Sequence, residues 1–198
     1  DVVIGKVVNL KQDTAGYSFR DASTTHKSSE PCRVDGVWQD KNSDGYPFVK
    51  VRVVSERVPQ VGDKFSSRHG QKGTIGAIVP EEDMPFSRSG VRPDIVVNPH
   101  AIPTRMTVGQ LLESTCNKLG VKQGALTDAT PFTVSNRIPD TAKLMTEMGY
   151  EPYGNELLYN GYTGEMFNAP IFVGPTFYMR LKQMVEDKIN YRDTGPKT

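Results

Sequence analysis

The sequence predicts an α+β fold, rich in strands first and in helices second. Three observations carry this prediction. Eighteen glycines and 14 prolines are spread along the 198 residues, which favours loops and strands over a helical bundle. In FVKVRVV (48–54), Val49, Val51 and Val53 alternate with Phe48, Lys50 and Arg52, the period of two of a half-buried strand. From residue 107 onward the apolar positions change to helical spacing.

VVIGKVV (2–8) is β-rich, with one glycine. Residues 10–33 are polar and irregular and predict a long loop. RVDGVWQD, the turn signal KNSDG and FVKVRVV predict a strand pair. The basic, glycine-rich GDKFSSRHGQKG (62–73) runs into a short β-like TIGAIV, and DIVVN (94–98) is a further strand candidate. A helix is predicted over 107–119, where Thr107 and Gln110 match a capping box. Val108, Leu111, Leu112, Thr115 and Leu119 share one face of it, and Gly120 has the place of a terminating glycine. A second helix is expected from Pro139 to Met148, stopped by Gly149. A third is expected from Pro175, with Phe177, Tyr178, Leu181, Met184, Val185 and Ile189 as its apolar positions. Between these two, GNELLYNGYTGEMFNAPIFVG predicts strand, turn and strand. No internal repeat is present.

Lysine and arginine total 24 against 23 aspartates and glutamates, so any phosphate contact must come from a local cluster rather than from overall charge. Cys32 and Cys116 have no partner at metal-ligand spacing, which predicts two free thiols in a reducing compartment. No apolar run has the length of a membrane span, and DVVIGKVVNL has no signal-peptide layout. The opening in a strand-like segment without a methionine is expected of a piece of a larger protein.

In GDKFSSRHGQKG, Gly62, Gly70 and Gly73 bracket Lys64, Arg68, His69 and Lys72. Glycines let backbone approach a ligand, and lysines supply point charges for phosphate. The spacing is not that of a Walker loop, so a phosphate cradle and a solvated basic hairpin both remain open. In NPHAIPTRM (98–106), Arg105 either presents its fork to a phosphate or satisfies backbone carbonyls, and His100 fits a packing or capping role. The acidic run PEEDMP (80–85) fits a solvated turn, since three consecutive acids cannot all face one ion. No Ser/His/Asp or Cys/His constellation stands out.

Taken together, VPQVGDKFSSRHGQKGTIGAIVPEEDMPF, RPDIVVNPHAIPTRMTVGQLLE and FVGPTFYMRLKQMVEDKI resemble the second-largest (β-like) subunit of multisubunit DNA-directed RNA polymerases. DVVIGK, RDAST and LYNGYTGE fall in the order that family has them, and GQKGTIG is closer to its eukaryotic, archaeal and large-DNA-virus branch. The resemblance covers nearly the whole chain. It implies that residues 1–198 are the hybrid-binding region, with a double-psi β-barrel facing a partner barrel in the largest subunit. Residues 62–105 would form the active-centre face, and 170–198 a C-terminal helix leading to the clamp switch.

The residue roles follow from the same resemblance. Lys64 and Lys72 match the two active-centre lysines that approach the RNA 3′ end and the incoming nucleotide. Arg105 matches the arginine on the triphosphate. Arg68, His69, Lys182 and Arg192 are candidates for nucleic-acid backbone contacts. The cofactor would be Mg2+, bound by the largest subunit and not by this chain. The partners would be that subunit and the other polymerase subunits, with template DNA, nascent RNA and NTPs, and no membrane. The chain alone is not expected to be active. Its location would be intracellular: the nucleus for a cellular eukaryotic enzyme, the cytoplasm or virion for a viral or archaeal one. Two departures mark a divergent lineage. YRDTGP stands where the family has Arg-Ala-Arg-Gly-Pro, bringing in Asp193 and Thr194, and Gln183 replaces a common histidine. The alternatives are a free-standing nucleic-acid- or phosphate-binding β-barrel module without polymerase activity, and a fragment with no ligand. Retention of Lys64, Lys72 and Arg105 together favours the polymerase.

Overall fold

The computed structural model describes residues 1–9, 19–133 and 137–196. The chain forms two compact units, Asp1–Val58 and Pro59–Thr198.

Among the described residues the first unit contains only strands: β1 (Val2–Ile4), β2 (Val7–Asn9), β3 (Phe19–Asp21), β4 (Thr24–Thr25), β5 (Arg33–Lys41) and β6 (Pro47–Val54). They pair antiparallel as β1 with β4, β2 with β3, and β5 with β6. The β5–β6 hairpin is the one predicted, and its turn is closed by Asn42, whose Oδ1 accepts from the backbone N–H of Asp44 at 3.1 Å and Tyr46 at 2.8 Å. The predicted loop over 10–33 needs correction. Residues 10–18 lie outside the described residues, but β3 and β4 fall inside that range. They are polar because they are exposed on both faces, so no apolar alternation is required to mark them.

The second unit is mixed. In chain order it holds β7 (Lys64–Ser67), β8 (Lys72–Thr74), β9 (Phe86–Ser87), α1 (Ala101–Arg105), α2 (Val108–Gln123), α3 (Arg137–Glu147), β10 (Asn155–Glu156), β11 (Leu158–Tyr159), β12 (Ile171–Phe172) and β13 (Tyr178–Arg180). The strands form one three-stranded sheet, β13-β7-β8, and two pairs, β10-β12 and β9-β11. The α+β class and the concentration of helices in the C-terminal half are as expected, although the sequence predicts no helix at α1; among the described residues the sheets are small and none closes into a barrel. TIGAIV and DIVVN contribute no strand beyond Thr74. Ile75 continues the β7–β8 pairing through backbone hydrogen bonds with Gly62 at 2.8 Å and Asp63 at 3.0 Å, while farther along the apolar side chains are largely exposed, with Ile78 63% and Val96 70% accessible.

The α2 helix runs four residues past its predicted end at Leu119 and stops at Gly124, which has a left-handed φ of 66°. Gly120 lies inside the helix, where a Cβ would come within 2.8 Å of the Ala125 carbonyl oxygen, so the glycine serves that close approach rather than a helix end. The capping box does not form: Thr107 makes no side-chain cap bond. Its Oγ1 accepts from Gln71 Nε2 at 2.7 Å, and Gln110 Oε1 accepts from Ser67 Oγ at 3.5 Å. Both residues face β7–β8 instead of the helix end. The buried apolar core includes Leu119, Met145 and Leu158, and Lys118 ties α2 to the later strands. Its Nζ donates to the carbonyls of Gly154 and Val173, both at 3.0 Å, and pairs with Glu156 at 2.5 Å.

The third predicted helix is overturned. The segment from Pro175 is extended into β13, followed by a 3-10 turn at Val185–Asp187. Tertiary pairing overrides its helical spacing: β13 pairs Tyr178 with Ser67, Met179 with Ser66 and Arg180 with Phe65. The region 170–198 therefore carries no α-helix among its described residues.

Candidate functional site

The basic glycine-rich stretch forms the β7–β8 hairpin. Its turn includes Gly70 at a φ of 71°, a conformation that disfavours a side chain, and is closed by Ser67 N–H donating to Gln71 O at 3.3 Å. Lys64 pairs with Thr74, and Ser66 with Lys72. Opposed residues and residues two apart share a face, so Lys64 and Lys72 are diagonal neighbours on one face of the hairpin. No local pattern marks this register.

Arg105, the last residue of α1, is tied to the turn of the same hairpin by Gln71. Gln71 is 7% exposed, and its Oε1 accepts from Arg105 Nη1 at 3.2 Å. Its Nε2 donates to Ala101 O at 3.2 Å and to Thr107 Oγ1 at 2.7 Å. Gln71 immediately precedes Lys72, so one residue links the arginine to the lysine strand. A groove of about 990 Å3 runs beside them, lined by Phe65, Lys72, Thr74, Ile78, Val97 and Ile102 among others.

The cations divide by partner. Arg68 and His69 both contact Glu113 of α2, Arg68 at 2.5 Å, and Glu113 also accepts from the Phe177 backbone N–H at 3.1 Å. Burial raises the Glu113 carboxyl, but the hydrogen bonds from Arg68, Phe177 and His69, with the Arg68 charge, outweigh it and leave its pKa lowered. Arg180 pairs with Asp63, which is 1% exposed. The backbone N–H groups of Val185 and Gln60 hold Asp63's carboxyl below its usual range, and Arg180 adds to them against desolvation. By contrast, Lys64, Lys72 and Arg105 have no ion-pair partner among the described residues. Lys64 Nζ donates to the neutral amide of Gln183 at 3.3 Å, Arg105 to the neutral Gln71, and Lys72 is exposed.

The other predicted residues lie apart from this cluster in the pattern of contacts. Lys182 is exposed, and Arg192 donates through Nε to the Thr194 carbonyl at 2.9 Å. His100 caps nothing with its side chain; its Nδ1 meets Asn98 Oδ1 at 2.7 Å. Cys32 and Cys116 are free thiols. Among the described residues no three carboxylate, imidazole or thiol groups gather to hold a metal ion, and no helix is long and apolar enough to cross a membrane. The residues that sequence reasoning missed are Gln71, Glu113, Asp63 and Arg180, each joined to its partner across 34 or more residues, with no local signal to mark it.

Residues 1–198 match the family model for RNA polymerase Rpb2, domain 6, and the chain belongs to that family. It is 51% identical over 201 residues to DNA-directed RNA polymerase II subunit 2 of Arabidopsis thaliana, covering 99% of this chain and 17% of that protein. It is 52% identical over 200 residues to DNA-directed RNA polymerase subunit 2 of Acanthamoeba polyphaga mimivirus, covering 99% of this chain and 16% of that protein. It is 43% identical over 179 residues to DNA-directed RNA polymerase III subunit RPC2 of Saccharomyces cerevisiae, covering 90% of this chain and 16% of that protein. The chain thus spans about one sixth of the length of these relatives.

Proposed function

We propose that this chain is the hybrid-binding region of the second-largest subunit of a multisubunit DNA-directed RNA polymerase. In that role it positions the RNA 3′ end, the RNA–DNA hybrid and the phosphates of the incoming NTP. One observation carries the reading: Lys64 and Lys72 share one face of the β7–β8 hairpin, Gln71 of the same hairpin holds Arg105, and none of the three cations is neutralised by a carboxylate among the described residues. Family membership supports the same assignment.

Phosphoryl transfer is catalysed mainly by positioning and by fixed positive charge at the reacting phosphates. Lys64 and Lys72 supply point charges from one hairpin face. Arg105 offers a planar fork suited to a triphosphate. These contacts read phosphate and sugar, which keeps the enzyme tolerant of sequence. Lys182 and Arg192 are assigned to the hybrid backbone. Arg68 and His69 reach that backbone only by leaving Glu113, so their main role here is to fasten the loop.

The enzyme's Mg2+ is assigned to the largest subunit, and no step is routed through a metal on this chain. The exposed β-like segments 75–79 and 94–98 are assigned to a double-psi β-barrel completed by segments outside this chain. The expected partners are the largest subunit, other polymerase subunits, template DNA and nascent RNA. The setting is intracellular: nuclear for a cellular eukaryotic enzyme, cytoplasmic or virion for a viral or archaeal one.

Kinetics of the assembled enzyme with Arg105→Ala test the triphosphate role. The expected result is a raised KM for NTPs; weakened RNA binding with KM unchanged contradicts it.

A further inference from the structure

We infer that Gln71 is the positioning residue for Arg105, and this rests on the triphosphate role proposed for that arginine. The amide of Gln71 is almost fully enclosed, and both of its ends are used. Two N–H bonds go to Ala101 O and Thr107 Oγ1, and the oxygen takes one from Arg105. The first two partners flank α1, so the amide is held from both ends of the helix that carries the arginine. Arg105 itself is exposed and has no carboxylate partner among the described residues. Its contact with Gln71 is the one that aims its guanidinium.

The chemistry calls for a glutamine. A glutamate would set a second acceptor against the Ala101 carbonyl and would neutralise the charge that a triphosphate needs. A methionine of similar length would leave the Ala101 carbonyl and the Arg105 fork without their partner. A neutral acceptor orients the cation while leaving its charge available. The position next to Lys72 adds a second effect, since the Gln71 backbone carbonyl also closes the hairpin turn. One residue therefore holds Arg105 and closes the hairpin that carries Lys72.

The test uses the assembled polymerase containing this chain with Gln71→Met, Arg105→Ala, the double variant, and Thr107→Val. Thr107 makes no side-chain cap bond, so Thr107→Val loosens Gln71 without uncapping α2 and serves if Gln71→Met does not assemble. NTP KM is measured, together with the rate at which phenylglyoxal modifies Arg105, read by mass spectrometry. Gln71→Met should raise KM about threefold to tenfold, Thr107→Val less, and the double variant no more than Arg105→Ala alone. Arg105 should be modified faster in Gln71→Met than in the parent enzyme. If Arg105→Ala raises KM while Gln71→Met has no effect or adds independently, the positioning role is overturned and the triphosphate role survives. If Arg105→Ala leaves KM unchanged, the triphosphate role fails; an unchanged modification rate in Gln71→Met then overturns the contact as well, and a faster one upholds it.

Discussion

Arg180 donates to the buried carboxylate of Asp63, one residue before Lys64, and so satisfies the acid nearest that lysine. Among the described residues Lys64 meets only the neutral amide of Gln183. The adjacent charges are partitioned: one cation is tied to a buried acid, and the other has no carboxylate partner among the described residues.

Arg180→Met should destabilise the chain by leaving Asp63 without its cation. Side-chain exposures of 21% and 2% place this pair among those where loss of one partner is costly. Thermal melting should drop by on the order of 10 °C. An unchanged melt would show that the backbone donors at Val185 and Gln60 suffice.

The pH dependence follows from Asp63 and Glu113, whose pKa values are both lowered on folding. A lowered carboxylate contributes stability that is complete above its unfolded value, near about 4, and is lost as pH falls through the folded value. Denaturant melts should therefore show stability falling below about pH 4, with a shallower fall in Asp63→Asn. An equal slope in both proteins would contradict the role of Asp63.

Gln183→Glu should place a carboxylate against Lys64 and lower its attraction for phosphate. In the assembled enzyme, nucleotide addition is expected to slow by about tenfold, and the effect should vanish in a Lys64→Ala background. A slowing that persists without Lys64 would sever the two residues functionally.

Much of the fold was legible where the signal is local. The β5–β6 hairpin declared itself by alternation and turn residues, α2 by helical spacing, and α3 by the glycine that stops it. The candidate cations were named from two motifs, Lys64 and Lys72 from GDKFSSRHGQKG and Arg105 from NPHAIPTRM. What escaped was set by distant partners. Phe177 to Ile189 carries apolar spacing that fits a helix, yet β7 captures Tyr178–Arg180 as a strand. Thr107 and Gln110 match a capping box, yet Gln71 and Ser67 draw them away. Arg68 and His69 look like ligand contacts in a basic run until Glu113, more than 40 residues on, is placed beside them. No local pattern encodes such pairings, because each depends on which elements the fold brings together.

The most direct test of the polymerase assignment is single-nucleotide addition by the assembled enzyme carrying Lys72→Ala. Lys72 is exposed and has no side-chain partner among the described residues, so its removal should leave the fold intact. Loss of one charged phosphate contact, about 1–3 kcal/mol, predicts addition slower by roughly fivefold to a hundredfold. Unchanged addition kinetics would contradict the proposal that this hairpin face meets the reacting phosphates.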